Sequence, residues 1–176
     1  MNRELEQYIE RTVIPRYEGF DRAHGTEHVR TVIARSLALA RHYDVSIEMV
    51  YAVAAYHDTG LAFGRERHHI DAGRILFEDR ELRRWFSEEQ LRVMREAVED
   101  HRASSDHAPR SIYGRIVAEA DRCIDTQTIL RRTVQYGLAH CPALTREEHF
   151  ARCREQLWPA AARMIAAETL PAARAA

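Results

Sequence analysis

The amino-acid sequence predicts an all-α protein, and two observations support this fold class. Apolar residues recur at intervals of three and four positions along most of the chain, which is the spacing of one face of an α-helix. No stretch of convincing length shows the alternating pattern of a half-buried β-strand. The chain has 176 residues, of which 45% are hydrophobic and 30% charged, and it therefore suits one globular domain with a sizeable core.

Helix-capping residues indicate where the predicted helices begin and end. We predict N-caps at Thr26 and Ser46, because their hydroxyls can accept hydrogen bonds from the first free N–H groups of a helix. Ser87–Gln90 and Thr145–Glu148 match the capping-box pattern, and Gly60 is expected to stop the third helix. Seven or eight helices result, with expected bounds of about 3–16, 26–43, 46–60, 68–78, 87–101, 110–124, 126–137 and 145–168.

Charge and cysteine content argue against several functional classes. The net charge is −1, so no broad basic surface for nucleic acid is expected. Cys123, Cys141 and Cys153 are an odd number at wide spacing, which favours a reducing cytosolic setting over a disulfide framework or a zinc knuckle. The charged N-terminal residues lack the apolar run of a signal peptide, and no segment reaches the length of a membrane span. We therefore expect a cytoplasmic protein without a membrane or nucleic-acid partner.

Six polar residues occupy positions where the apolar stripes predict a buried side chain. A buried imidazole or carboxylate is costly unless it has partners. A single histidine on such a stripe is most often a hydrogen-bonded core residue, so a helical domain with satisfied core histidines is the alternative without a metal. Several such groups on separate helices favour a divalent cation, which binds imidazole and carboxylate together. The six residues are His28, His57, Asp58, His69, His101 and Asp121.

The adjacent residues His57 and Asp58 limit how a metal ion can be held. Neighbouring side chains on an α-helix point about 100° apart. The two residues can therefore bind one ion only at a helix end, which the turn at Gly60 would provide. Alternatively, Asp58 bridges two ions while His57 binds only the first. Imidazole and carboxylate ligands suit Mn, Co, Ni, Fe or Zn, so one or two ions of this kind are the expected cofactor.

The order His28, His57-Asp58, Asp121 resembles the HD superfamily of metal-dependent phosphohydrolases, over roughly residues 21–124. The two residues of the doublet alone are weak evidence, but each member of the ordered set falls at the expected helix position. The resemblance implies that these four residues hold a first metal ion between the helices of a bundle.

The same family resemblance implies a second metal ion. Many HD proteins add two histidines between the doublet and the last aspartate, and His69 and His101 match those places. Asp58 would then bridge the two ions. His68 is an alternative to His69, and we favour His69 because it shares a helix face with buried apolar positions.

We expect a single HD-type domain over residues 1–170, with its core motif region at 21–124, and a frayed tail at 171–176. The segments Glu99–Ser105 and Pro109–Gly114 are similar to a group of small bacterial HD proteins. The cyclic-dinucleotide branch usually has a lysine after its turn glycine and a Gly-Tyr-Pro signature. Here a leucine follows Gly60 and no Gly-Tyr-Pro occurs, which argues against a cyclic-dinucleotide phosphodiesterase.

The resemblance implies a metal-dependent phosphohydrolase that acts on a nucleotide or another small phosphorylated metabolite through a metal-activated water. Asp58, shared by both ions, is the predicted catalytic residue. Arginine binds phosphoryl oxygens with two parallel hydrogen bonds, so arginines near the ligands are candidates for substrate binding. The predicted substrate-binding residues are Arg102, Arg110, Arg65, Arg67 and His24.

Two other functions fit the same residues. The ligand set also resembles that of the di-iron HD oxygenases, which cleave C–C or C–P bonds with dioxygen. A non-catalytic nucleotide-binding module with a structural metal is the third hypothesis. The pattern leaves open whether a monoester, a diester or a pyrophosphate is cut. The segment Trp158–Met164 packs either on the core or on a second subunit, so a homodimer is one of two expected outcomes.

Overall fold

The computed structural model contains only helical regular structure in the residues that it describes. These residues are 1–21, 23–102, 107–122 and 126–166. Eight α-helices and three short 3-10 helices lie in these ranges, so the all-α prediction is confirmed. The α-helices are α1 (Arg3–Thr12), α2 (Thr26–Ala40), α3 (Ile47–Tyr56), α4 (His68–Glu78), α5 (Glu88–Glu99), α6 (Ile112–Asp121), α7 (Thr126–His140) and α8 (Arg146–Ala166). The 3-10 helices are Ile14–Gly19, Thr59–Phe63 and Arg80–Arg84.

The chain divides into two compact units. The first contains Met1–Arg122 with α1 to α6, and the second lies within Cys123–Thr169 and contains α7 and α8. The prediction of one domain over residues 1–170 stays a prediction, and the predicted tail at 171–176 lies outside the described residues. None of the helices in the described ranges has the length and hydropathy needed to cross a lipid bilayer.

Side-chain caps begin several helices, as their sequences predict. The Ser46 hydroxyl accepts a hydrogen bond from the N–H three residues on (3.3 Å) at the start of α3. Ser87 and Gln90 form a complete capping box before α5, and Thr145 and Glu148 form another before α8. Each cap satisfies an N–H group that has no partner within its helix, which stabilises the fold by about 1 kcal/mol.

The residues predicted to begin α2 and to end α3 are wrong. Gly25 is the N-cap of α2, with extended backbone, and Thr26 is the first helical residue. α3 ends at Tyr56, before it reaches Gly60, and Gly60 lies inside the 3-10 helix Thr59–Phe63. A feature other than the Gly60 turn must therefore end α3.

α3 is the central helix of the first unit. All of its residues from Met49 to Tyr56 are buried, and each of the other five α-helices of this unit contacts it. Complete burial of one valine-sized or leucine-sized side chain contributes about 1.5–3 kcal/mol. Because α3 is enclosed up to its last residue, the residues that follow Tyr56 emerge inside the bundle.

A shared carboxylate links α3 to two neighbouring helices. The hydroxyls of Tyr8 and Tyr56 both donate hydrogen bonds to Asp79 Oδ2, each at 2.6 Å. Burial, together with these hydrogen bonds, raises the pKa of both phenols, so they remain protonated donors. Asp79 directly follows α4, so this contact ties α1, α3 and α4 to one another.

The second unit is a hairpin of α7 and α8. The Arg152 guanidinium contacts Gly137 and donates a hydrogen bond to the Thr133 carbonyl (2.6 Å). A groove of about 1090 Å³ runs along the hairpin. Its apolar lining includes Leu130, Val134, Leu138, Phe150 and Leu157. The side chains of Trp158–Met164 lie outside the described ones, so their packing on the core or on a second subunit stays a prediction.

Candidate metal centre

His57 and Asp58 emerge inside the bundle directly after α3. The Asp58 backbone has left helical geometry, with φ −105° and ψ 3°. The Asp58 N–H donates a hydrogen bond to the Tyr17 hydroxyl (3.2 Å), which itself donates to the Ala55 carbonyl (2.9 Å). His57 Nε2 lies 3.2 Å from Asp58 Oδ2. The two neighbouring side chains therefore face one point, as expected at a helix end.

His28 from α2 and Asp121 from the end of α6 complete a first group of ligand atoms. His28 Nε2 lies 3.5 Å from Asp58 Oδ2 and 3.2 Å from His57 Nε2. It also lies 3.2 Å from Asp121 Oδ1, which is 4.0 Å from His57 Nε2. The structure thus brings together the four residues that the family resemblance implies for a first ion.

A second group lies on the other side of the Asp58 carboxylate. Asp58 Oδ1 is 3.5 Å from His68 Nε2 and 3.4 Å from His101 Nε2. The two oxygens of one carboxylate therefore face different pairs of imidazoles. This is the placement that a carboxylate shared between two ions requires.

His68, rather than His69, faces Asp58, which corrects the preference drawn from the sequence. His68 is the first residue of α4, and its Nδ1–H donates to the Arg65 carbonyl (2.8 Å), so its Nε2 is directed at Asp58. His69 lies about 100° further round the helix, and its buried Nδ1 has no hydrogen-bond partner among the described residues. The apolar stripe of α4 covers too wide an angle to distinguish two adjacent residues in its first turn.

Three imidazoles share an arrangement that suits metal ligands. In His57, His68 and His101, Nδ1 lies 2.6–2.8 Å from the carbonyl oxygen three residues earlier. A carbonyl oxygen can only accept a hydrogen bond, so Nδ1 carries the proton and the Nε2 lone pair of the neutral ring faces Asp58. An ionised carboxylate also only accepts, so these contacts are repulsive unless a cation or a proton lies between them. Metal-binding histidines are commonly oriented in this way.

The separations between the ligand atoms also match a metal centre. Bonds of about 2.1 Å place neighbouring ligand atoms about 3.0 Å apart in an octahedral centre and about 3.4 Å apart in a tetrahedral one. The contacts around Asp58 measure 3.2–3.5 Å. Imidazole nitrogens combined with carboxylate oxygens are the donor set that Mn, Co, Ni, Fe and Zn accept. Each of the two groups could therefore hold a divalent metal ion.

The carboxylates of the site are held in their charged form. Burial alone would raise the pKa of Asp58, but the facing imidazoles, chiefly that of His57, hold it well below its ordinary value. Burial acts on Asp121 in the same direction, and His28 and His57 again lower the pKa. Both carboxylates are thus anionic at neutral pH, as metal binding requires.

Two imidazoles of the site, those of His57 and His68, differ in their proton affinity. Burial lowers the pKa of His68 to about 4, so this ring is neutral at neutral pH. Burial also acts to lower the pKa of His57, but the negative charges of Asp58 and Asp121 outweigh it and raise the pKa. His57 is therefore a ring on which a proton competes with a cation.

Gly60 brings α4 close enough for His68 to reach the site. A Cβ at Gly60 would overlap the His68 carbonyl oxygen and would lie 2.6 Å from the Ala72 N. The 3-10 helix after the doublet therefore packs directly against the backbone of the first turn of α4. Only glycine permits this approach, so the role of Gly60 is close packing of two backbones and not the termination of α3.

His24 lies beside the first group. Its Nδ1–H donates to Asp21 Oδ1 (2.9 Å), and its ring centre is 6.0 Å from that of His28. Burial lowers the pKa of His24, although the charges of Asp58 and Asp21 oppose this effect. The sequence-based prediction that His24 contacts substrate is compatible with this position and stays a prediction.

Three predicted substrate-binding arginines lie on segments that adjoin the site. Arg65 and Arg67 are exposed in the loop that leads into α4. Arg102 directly follows His101, and its Nη1 donates a hydrogen bond to the Glu66 carbonyl (2.7 Å). This bond joins the segment after α5 to the loop after the metal doublet, so the three arginine residues lie in neighbouring segments.

Arg110 is engaged in an ion-pair network, which corrects its assignment to substrate binding. Its Nη2 lies 2.9 Å from Asp100 Oδ1 and 2.8 Å from Glu99 Oε2, and its backbone N–H donates to Asp100 Oδ2 (2.6 Å). Burial would lower the pKa of Arg110, but these carboxylates raise it. The Asp100 side chain is completely buried. Arg110 therefore fixes the segment before α6 to the end of α5, directly before His101.

Sequence reasoning missed two supporting contacts of the site. Tyr17 looks like an ordinary core aromatic in the sequence, and nothing in its local pattern links it to Asp58. Asp100 has a usable signal, because a carboxylate next to a predicted ligand at a buried helix end needs a cationic partner. That partner, Arg110, lies ten residues later, beyond a predicted loop.

Comparisons with known proteins agree with this geometry. No curated protein matches the chain. The crystal structure of a predicted HD superfamily hydrolase from an uncultured Thermotogales bacterium matches 93% of this chain and 91% of its own, with a TM-score of 0.58 and 17% sequence identity. At this identity the match shows the shared fold. The model of the HD domain family matches residues 25–124, which include every residue of the two groups around Asp58, and the chain therefore belongs to the HD domain family.

Proposed function

We propose that the protein is a metal-dependent phosphohydrolase for a nucleotide or another small phosphorylated metabolite. The observation that carries this proposal is the division of the Asp58 carboxylate between two pairs of imidazoles. Oδ2 lies 3.2–3.5 Å from His57 and His28, and Oδ1 lies 3.4–3.5 Å from His101 and His68. Such a carboxylate can hold two ions side by side. The related Thermotogales protein is named a predicted hydrolase, which is consistent with this proposal.

The chain supplies the surroundings that such a reaction needs. When bound, a divalent cation lowers the pKa of water towards 7 and neutralises charge on phosphoryl oxygens. Asp58 is the proposed catalytic residue, because its carboxylate would be a ligand of both ions. His57 and His101 are almost completely buried, so they and Asp58 keep bulk water away from one side of the site. Asp121 is partly exposed and marks the open side.

Positive groups near the site favour an anionic substrate, although the net charge of the chain is −1. We propose that Arg65, Arg67 and Arg102 bind the phosphoryl oxygens. His24, which Asp21 orients, would contact the substrate. Arginine suits this role because its planar guanidinium can donate two parallel hydrogen bonds to one phosphate.

Elemental analysis followed by a turnover screen tests the proposed function. We expect the purified protein to contain up to two divalent ions per chain. We also expect it to release phosphate or a nucleotide product from at least one nucleotide or sugar phosphate when Mn, Co, Ni or Fe is supplied. Removal of the ions with a chelator should abolish turnover and lower the melting temperature, since a ligand that binds only the folded state stabilises it.

Other results would favour the other functions. Oxygen consumption together with an iron-dependent mixed-valence electron paramagnetic resonance signal would replace the hydrolase with an oxygenase. Tight nucleotide binding without turnover, at saturating metal, would indicate a binding module. A protein that binds no divalent ion under any of these conditions would contradict the proposal altogether.

Variants of two adjacent histidines test the second ion position. Replacing His68 with alanine is expected to reduce the ions bound per chain from two to one, because it removes one of two imidazoles facing Asp58 Oδ1. Replacing His69 with alanine should leave two ions bound. Isothermal titration of the metal-free variants with Mn²⁺ measures both numbers. The same loss in both variants, or a loss only in His69→Ala, would contradict the assignment of His68.

A further inference from the structure

Side chains donate the hydrogen bonds that the last carbonyl groups of α3 accept. In a continuing helix, each carbonyl accepts the N–H four residues later. At this end, three consecutive carbonyls instead accept hydrogen bonds from side chains. The His57 Nδ1–H donates to the Ala54 carbonyl (2.8 Å), and the Tyr17 hydroxyl donates to the Ala55 carbonyl (2.9 Å). The Thr59 hydroxyl donates to the Tyr56 carbonyl (2.8 Å). These contacts, and not a glycine, end the helix.

The contact made by His57 leaves the Asp58 N–H in need of another acceptor. The Ala54 carbonyl would be the helical partner of this N–H, but it accepts the imidazole proton of His57. The Tyr17 hydroxyl takes its place by accepting the Asp58 N–H at 3.2 Å. Tyr17 is completely buried, so water cannot substitute for its hydroxyl. The Tyr17 hydroxyl thus takes the place of the Ala54 carbonyl as the acceptor for the Asp58 N–H.

We propose that Tyr17 is a positioning residue for Asp58. Its hydroxyl holds the Asp58 backbone in the non-helical conformation from which the carboxylate can point one oxygen at each pair of imidazoles. Without the hydroxyl, the buried N–H would have no partner, and the peptide would rotate towards another acceptor and carry the carboxylate with it. The inference rests on the metal centre of the proposed function, but not on any substrate.

Tyr56 offers a matched control. It is also a buried tyrosine next to the doublet, and its hydroxyl donates to Asp79 at 2.6 Å. Tyr17→Phe and Tyr56→Phe each remove one buried hydroxyl and keep the ring. Only Tyr17→Phe leaves the Asp58 N–H without its acceptor. A general loss of stability would therefore appear in both variants, whereas misplacement of Asp58 would appear only in Tyr17→Phe.

Titration of the metal-free full-length chain with Co²⁺ tests the inference. The visible spectrum of bound Co²⁺ reports the geometry of its ligands, which a merely stabilising residue would not change. For Tyr17→Phe we expect a changed spectrum and at least a tenfold weaker affinity for one or both ions. For Tyr56→Phe we expect the wild-type spectrum and an affinity within twofold of the wild type. Wild-type binding by Tyr17→Phe, or equal effects in both variants, would overturn the inference.

Hydrogen exchange of the wild-type protein tests the same inference and does not require that either variant folds. The Asp58 amide should be protected from hydrogen exchange in the metal-free chain, because the Tyr17 hydroxyl accepts it in the interior. Exchange at the rate of an open peptide would overturn the inference. If the ions bind as expected but no phosphate compound is hydrolysed, the proposed function fails while the role of Tyr17 stands.

Discussion

Replacing Asp58 with alanine is expected to remove both ions and all hydrolytic activity together. This carboxylate faces all four histidines of the site at 3.2–3.5 Å, so its loss removes a ligand from each ion position at once. Metal affinity should fall by more than the roughly 10- to 100-fold that the loss of a supporting residue costs. Elemental analysis after dialysis and an assay of phosphate release measure the two effects.

A second aspartate supplies the control for this variant. The Asp79 carboxylate accepts the hydroxyls of Tyr8 and Tyr56, and no histidine forms a described contact with it. Asp79→Ala should lower the stability of the fold and still bind the wild-type number of ions. If Asp58→Ala kept two ions, the carboxylate would not be shared and the arrangement proposed for the site would be wrong.

Replacing Gly60 with alanine is expected to disrupt both the fold and the second ion position. The added Cβ would overlap the His68 carbonyl oxygen, and a backbone cannot yield as the end of a side chain can. Overpacking of this kind costs about 3 kcal/mol or more. The first turn of α4 would have to move, and His68 would move away from Asp58. Urea denaturation of the metal-free protein measures the destabilisation, and titration with Mn²⁺ should find one ion.

Gly19 is the matched control, because a Cβ built there meets no atom within 4 Å. Gly19→Ala should change the free energy of unfolding by no more than about 0.5 kcal/mol. Equal stability of Gly60→Ala and Gly19→Ala, with two ions bound by both, would show that the two backbones can separate without loss. The close contact at Gly60 would then have no part in placing His68.

Much of the site follows from the sequence because each ligand interrupts a regular pattern. His28, His57 and His101 each lie on an apolar stripe, and helical periodicity alone puts such residues in the interior. Their convergence could be inferred because isolated buried polar groups are costly. The order of these residues along the chain carries the family resemblance, and the resemblance implied their division between two ions.

The details that the sequence could not decide depend on contacts between distant segments. His68 and His69 both fit the stripe of α4, and the choice between them is made by the packing of Gly60 on the first turn of that helix. Arg110 could not be distinguished from a surface cation, because its partner Asp100 is brought to it by the packing of α5 on α6. The same holds for the helix end at Asp58, which depends on Tyr17 from a segment far earlier in the chain.

The raised pKa of His57 links ion uptake to acidity. A ring that holds its proton more firmly than usual must give that proton to the solvent when a cation takes its place. Below the raised pKa, each unit of acidification therefore weakens apparent ion affinity by about tenfold. Acidic buffers should strip the protein of its ions more readily than alkaline ones.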